Sequence, residues 1–521
     1  MGAASACNAR CRQLANTRRR FWPIWRQNAQ ADTAHNDQHD IEAESIQPCD
    51  NLETRMKIED GRSGGCASII ARMDRLPATG YLWMMVFLIS LGGFFEIYDL
   101  VFTGYIAPGM TKSGLFSTTT THFFGYNGIG AFIAITFAGL FVGTFGLGFM
   151  PDMYGRRKVF TISLLWYSIG SAIMALQTTT EGVLIWRFIT GIGVGIEIVT
   201  IDVYITELVP QHMRGRAMAF NQAVMFMAAP IAAILSYLLV PLQPFGVDGW
   251  RWVVLIGASG AVVVWFIRLK VPESPRWLAE KGRMADAEAI VNKIETAVQL
   301  GYGKPLSPVP PPLPERKREL APFAELWKPP FRRQVLMLLV FNMFQAFAFY
   351  GFNNWVPTLL IGQGITITKS LLYGSIIAIA SPVGPLLAMT IADKIERKWL
   401  IVYSALAVII FGLLFSQARE VGFLIILGVM ISLSGSFLSV AYHAYQTELF
   451  PTRIRSRAAG LVYSFSRVGA SMSGFIIAFF LRDFGVVGVF GAISGAMLVV
   501  MVSIGVFGPK TNGKRLEEIS Q

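Results

Sequence analysis

Glu96 and Asp99 stand three residues apart inside an apolar run, a spacing that places two side chains on one helical face. Arg187, Glu197, Asp202 and Arg467 lie in other apolar runs. A charge in the middle of a hydrocarbon layer costs at least about 2.5–3.5 kcal/mol, so each of the six needs a partner or a task. Carboxylates in such places hold and release protons, and a guanidinium grips a carboxylate through its two-pronged fork. Asp99 lies two-thirds of the way along its run, and Arg187 lies near the start of its own. If the runs cross a layer in alternating directions, both occupy the same half of it and can pair. Protonating Asp99 would release Arg187 and tie the energy of a conformation to pH. A static pair that orients two helices is the simpler alternative. Glu96 can share a proton with Asp99 or point toward a ligand, while polar contacts with a neighbouring helix explain Glu197 and Asp202 equally well.

Arg467 sits about ten residues inside its run and is a candidate anchor for a ligand carboxylate, or else a cation near a helix end. Gln222, Asn342, Gln345, Asn353 and Asn354 offer hydrogen bonds to a ligand or between helices. Tyr350, Trp355 and Phe349 can stack on a ring or simply pack.

These side chains must be positioned by the apolar runs themselves. Hydrophobic residues make up 53% of the 521 and charged residues only 15%, a balance that excludes an ordinary water-soluble chain. The apolar residues gather into twelve runs, each long enough to cross a layer about 30 Å thick as a helix. They cover 81–108, 128–150, 159–178, 182–208, 217–240, 250–270, 335–361, 369–391, 399–416, 423–444, 458–480 and 486–507. The in-and-out alternation of a membrane barrel is absent from them. The fold expected is all-α and polytopic, with twelve membrane helices.

The net charge of +12 does not point to nucleic acid, because the cations sit where membrane topology puts them. One side carries Arg156, Arg157 and Lys158, then Arg214 and Arg216, then Lys394, Arg397 and Lys398, then Arg453, Arg455 and Arg457. The opposite connections near 177–182 and 241–249 carry no Lys or Arg. The positive-inside rule therefore places both termini and the long central connection in the cytoplasm. A polar, disordered segment is expected over 1–72, a six-helix half over 73–270, a linker over 271–334, a second half over 335–507 and a tail over 508–521. Within the linker, Glu280 to Val298 has helical patterning. Cys7, Cys11, Cys49 and Cys66 all precede the first run, on the reducing side. Cys7 and Cys11 with His35 and His39 fit no zinc spacing, so no metal is expected. The first 70 residues hold no apolar core of a signal peptide, and Met56 is a possible alternative start. Neither a nucleophile with its base nor a phosphate-binding loop is present, so no enzyme is expected.

The two halves repeat each other. Asp152 and Asp393, which follow the second and eighth runs, are offset by 241 residues. Tyr204-Ile-Thr-Glu207-Leu-Val-Pro210 answers Tyr445-Gln-Thr-Glu448-Leu-Phe-Pro451 at the same offset. Two unrelated motifs sharing one offset point to homologous six-helix halves, an arrangement that rocks about a site near the midplane.

Gly148-x-x-x-Asp152-x-x-Gly155-Arg156-Arg157 resembles the loop signature of the major facilitator superfamily, and Arg187-x-x-x-Gly191-x-Gly193 resembles its fourth-helix signature. Pro272-Glu-Ser-Pro-Arg276-Trp-Leu and Pro509-Lys-Thr-Asn-Gly513 look like marks of its sugar porters. The seventh run, Asn342 to Trp355, departs from the sugar-porter Gln-Gln-Leu-Ser-Gly pattern, and Phe94-Phe-Glu96-Ile-Tyr98-Asp99 looks like the acidic signature of proton symporters for organic and aromatic acids. The resemblance implies a monomeric secondary carrier in the inner (plasma) membrane. It would take up a small polar metabolite with a proton, a carboxylate ahead of a sugar, and use the proton gradient rather than a cofactor. An uncoupled facilitator or exporter and a non-transporting sensor are the alternatives. Asp99, Arg187 and Glu96 would carry the proton coupling. Asp152, Gly155, Arg156, Arg157, Glu207 and Arg214, with Asp393, Arg397, Glu448 and Arg455, would latch the cytoplasmic mouth.

Overall fold

The computed structural model describes residues 65–260, 262, 270–311, 323–329, 331–392, 395–450 and 452–509. Away from water a backbone must satisfy its own hydrogen bonds, and these long apolar runs do so as helices. The first half contains α1 (Gly80–Tyr105), α2 (Ile129–Phe141), α3 (Arg156–Ala175), α4 (Thr180–Leu208), α5 (Gln211–Leu239) and α6, which opens with Gly249–Ala258. Beyond its last turn α2 widens into a π-type segment, Val142–Gly146. The second half contains α7 (Phe331–Asn353), α8 (Ile367–Ala388), α9 (Arg397–Gln417) and α10 (Val421–Glu448). The helical stretch Thr452–Phe507 is divided into α11 and α12 at Gly485, whose φ of 62° and ψ of −160° interrupt the helix. Ten of the described helices are long and apolar enough to cross a membrane, and the last of these is α11 and α12 end to end.

The duplication is visible at atomic level. Arg156 pairs with Glu207 at 2.9 Å, and Arg397, 241 residues on, pairs with Glu448 at 2.6 Å. The Tyr204 hydroxyl donates to the Pro272 carbonyl after α6, as the Tyr445 hydroxyl donates to the Pro509 carbonyl after α12. Each half thus fastens its fourth helix to the chain leaving its sixth.

Across the halves α2 packs on α11 and α5 on α8. The α2–α11 crossing is close because it is made by glycines. A β-carbon on Gly130 would lie 2.6 Å from the Gly474 carbonyl oxygen, so any larger residue would force the helices apart. The Ser471 hydroxyl donates to the Ala134 carbonyl at 2.9 Å, and the Tyr105 hydroxyl to the Gly374 carbonyl at 2.8 Å. Arg482 donates to the Thr120 and Thr121 carbonyls at 2.7 and 2.6 Å. Among the described residues, these hydrogen bonds between the halves all lie toward the end opposite the basic loops. The Arg156–Glu207 and Arg397–Glu448 pairs stay within their own halves.

Two expectations change. Residues 65–72, placed in the disordered segment, belong to a helix that covers 65–74, with Cys66 and Ile69 buried. The linker's main helix spans Met284–Tyr302 rather than Glu280 to Val298, preceded by a short helix, Pro275–Glu280, capped by the Ser274 side chain. Ion pairs from Arg72 and Arg75 to Glu295, at 2.5 and 2.7 Å, dock the 65–74 helix on the linker helix. Apolar residues at 66, 69 and 73 form a helical stripe, but their polar neighbours conceal it in the sequence. Cys7, Cys11, His35, His39, Cys49 and Met56 lie outside the described residues.

Candidate functional site

Asp99 and Arg187 are buried on α1 and α4 and form an ion pair of 2.7 Å. Three further N–H groups of the guanidinium are engaged. Its Nε donates to Thr136 Oγ1 on α2 at 2.9 Å, and its Nη2 donates to the Asp99 carbonyl at 2.9 Å and to the Thr103 hydroxyl. The Phe102 and Phe132 rings sit 5.0 and 5.4 Å from it. The other carboxylate oxygen, Asp99 Oδ1, accepts from Ser171 on α3 at 3.0 Å. Four helices thus converge on one ion pair. Thr103, Thr136 and Ser171 were not legible beforehand, since small hydroxyl residues occur throughout membrane helices.

Arg467 is equally buried but lacks a carboxylate within ion-pair distance among the described residues. Its Nη2 donates to the Tyr463 hydroxyl at 3.0 Å and its Nη1 weakly to the Tyr350 hydroxyl at 3.4 Å, while Nε has no partner. The Tyr463 ring lies 4.8 Å from the guanidinium, and the Tyr350 ring packs on Phe137 of α2 with centroids 4.4 Å apart. This cation therefore stands between the halves, among aromatic rings, with an unused donor. Tyr463 was missed, although four residues before Arg467 on one helix is a neighbouring position.

The seventh-helix candidates divide between two faces. Asn342, Tyr350 and Asn354 recur at helical spacing, and Tyr350 and Asn354 meet the first half at Phe137 and Gly104. Gln345, Phe349 and Asn353 instead line a small cleft inside the second half with Val408, Ile431 and Met497. Gln345 and Asn353 therefore do not converge with Arg467, because they point away from the interface that Tyr350 faces. Asn342 and Asn353 each donate to the carbonyl one turn back on their own helix, Leu338 and Phe349. The Asn342 Oδ1 atom remains without a partner. Trp355 is fully buried at the break after α7, a packing position rather than an open stacking platform. Gln222 is half-buried on α5.

The gate residues also rearrange. Arg156 binds Glu207, Asp152 at 2.8 Å and the Pro151 carbonyl. Gly155 joins this cluster through its backbone: with φ at 102°, it occupies a conformation that favours glycine. A β-carbon there would meet Glu273 Oε2 at 2.5 Å. Glu273, from the motif after α6, accepts from the Arg157 backbone N–H at 3.0 Å. Arg214 does not join Asp152 and Glu207 as expected. It turns to Asp74 at 3.4 Å, which Arg276 also holds at 3.1 Å. The 65–74 helix brings Asp74 there, and that helix was not anticipated. In the second half Arg397 and Glu448 pair as the repeat implied, while Asp393 and the Arg455 side chain lie outside the described residues.

The sequence pattern of the family described as "Sugar (and other) transporter" matches residues 85–521. A Bacillus subtilis (strain 168) protein, YyaJ, named for metabolite transport, is 30% identical over 445 residues, 85% of this chain and 96% of that protein. The niacin transporter NiaP of Acinetobacter baylyi is 27% identical, covering 87% of this chain and 99% of that one. The fold matches a partially occluded, inward-open structure of the xylose transporter XylE from Escherichia coli with a TM-score of 0.67 at 20% identity, covering 84% of this chain and all of the other. With two repeated helical halves and this match over most of its length, the chain belongs to the sugar (and other) transporter family of the major facilitator superfamily.

Proposed function

We propose that this membrane protein is a proton symporter for a small organic or aromatic carboxylate, with Arg467 as the anchor of the carboxylate and Asp99 as the proton site. The observation that carries the reading is Arg467: a buried guanidinium with a free Nε and aromatic neighbours, standing between two moving halves. A buried cation without a counter-ion is costly, and an incoming carboxylate supplies one. A relative named as a niacin transporter supports the same class, since niacin is a pyridine carboxylate.

In the proposed cycle Asp99, held by Arg187 and Ser171, takes up a proton from one side. Its charge is then withdrawn from Arg187, the four helices around it lose a shared constraint, and the halves can rock about the α2–α11 and α5–α8 contacts. On this reading the basic loops and both termini face the cytoplasm of a plasma-membrane carrier. The carrier works as a monomer in the bilayer, on the proton gradient, without a bound cofactor and without nucleic acid or catalysis.

A sugar substrate is the second reading, favoured by a relative named as an arabinose-proton symporter that is 26% identical. Uptake of labelled benzoate, nicotinate, a dicarboxylate and a hexose into proteoliposomes, with and without an inward proton gradient, separates the two. Carboxylate uptake that Arg467→Ala abolishes supports the proposal, and hexose uptake alone overturns it.

A further inference from the structure

Neither Asp99 nor Arg467 accounts for Glu197. This residue lies on α4, fully buried, and both of its carboxylate oxygens lack a hydrogen-bond partner. Glu96 on α1 is in the same condition, with both oxygens buried and unpartnered. The two belong to one site. A β-carbon on Gly92, one helical turn before Glu96, would lie 2.8 Å from Glu197 Oε1, so the Glu197 carboxyl presses on the face of α1 that bears Glu96. On α3 the Tyr167 hydroxyl is also buried and unpartnered, and it lies within the electrostatic reach of Glu197, Glu96 and Asp99.

Among the described residues neither acid has a cation within ion-pair distance, and no group of three or more potential ligands could hold a metal ion. Two ionised carboxylates side by side in such a place would each bear the cost of burial and repel the other. A carboxylic acid, by contrast, donates one hydrogen bond and a carboxylate accepts several, so a single proton between them satisfies both. We propose that Glu96 and Glu197 share a proton and form a second proton site, separate from Asp99, with the Tyr167 hydroxyl as a further donor.

The pair is placed to sense the substrate. The charged and titratable groups that face it are Asp99 on α1, Tyr167 on α3, Asp202 on α4 and Arg467 on α11. Arg467 is the cation in that set, and it acts on Glu96 from the other half. Loss of the shared proton sets a negative charge facing the guanidinium and competes with a bound carboxylate. Gain of the proton clears it. Proton on the pair and anion on Arg467 therefore favour each other, a statement that rests on the function proposed above.

Infrared spectra of the purified full-length protein at neutral pH test the shared proton without any substrate. The wild type is expected to show the C=O stretch of a protonated carboxyl group. Glu197→Gln should lose that band, because Glu96 then ionises toward Arg467; Glu96→Gln should shift it, because Glu197 keeps the proton with a new partner; Asp99→Asn should leave it in place. Absence of the band in the wild type, or its persistence unchanged in Glu197→Gln and Glu96→Gln proteins of normal thermal stability, would overturn the proposal. A carrier that took up no carboxylate would sink the functional reading and leave this result standing.

Discussion

The Asp99 carboxylate and the Arg187 guanidinium meet at 2.7 Å between α1 and α4, and Thr103, Thr136 and Ser171 bind the same two groups from three helices. Removing one member of a buried pair strands the other, typically at a cost of about 3–5 kcal/mol. Asp99→Ala is therefore expected to lower the melting temperature of the purified protein more than the Asp99→Ala/Arg187→Met double variant does. A double variant no more stable than the single one would mean that Arg187 is satisfied without Asp99.

Arg467 is expected to be intolerant even of lysine. An ammonium keeps the charge but loses the planar fork and the contact with the Tyr463 ring. A charge-assisted hydrogen bond contributes about 1.5–3 kcal/mol, so Arg467→Lys should raise the KM for carboxylate uptake roughly tenfold or more. Tyr463→Phe, which removes a single hydroxyl, should act in the same direction and more weakly. Kinetics of uptake by the three proteins decide the order.

The docked 65–74 helix responds to acid. Burial pushes the Glu295 carboxyl up, but hydrogen bonds and charges from Arg72 and Arg75 outweigh it and hold the group below the usual glutamate range. A depressed value means that the contribution to stability is complete above the unfolded value, near 4.5, and is lost as pH falls through the lower folded one. Amide exchange in residues 65–74 should thus be slow at neutral pH and accelerate below that window. Glu295→Gln should show the fast exchange at every pH, and equal protection in both proteins would remove Glu295 from the contact.

At the α2–α11 crossing, bulk should bias the cycle. Gly130→Leu cannot coexist with the approach of the Gly474 carbonyl, so the end opposite the basic loops should stay open. Cysteines introduced near Tyr350 should then label faster from that side than in the wild type. Unchanged labelling would show that the crossing is not a closing surface.

Much of this was legible because the chemistry of a membrane helix is so constrained. The twelve runs, the 241-residue repeat and the Asp99–Arg187 pair all follow from where charges sit in apolar sequence. The pairing of Arg214 was not legible, because it depends on Asp74 and a helix hidden in polar surroundings. Spacing separates Gln345 from Tyr350, since five residues amount to about 140° around a helix, but only packing shows which of them meets the other half. Glu197 reads equally well in the sequence as helix glue or as transport chemistry; in the structure both of its oxygens are buried without a hydrogen-bond partner.

Proton coupling through Asp99 is the centre of this account, and transport of labelled benzoate by proteoliposomes bearing wild type or Asp99→Asn measures it most directly. An inward proton gradient is expected to drive accumulation by the wild type, while Asp99→Asn still exchanges benzoate for benzoate yet accumulates none. Gradient-driven accumulation by Asp99→Asn at the wild-type level would contradict it.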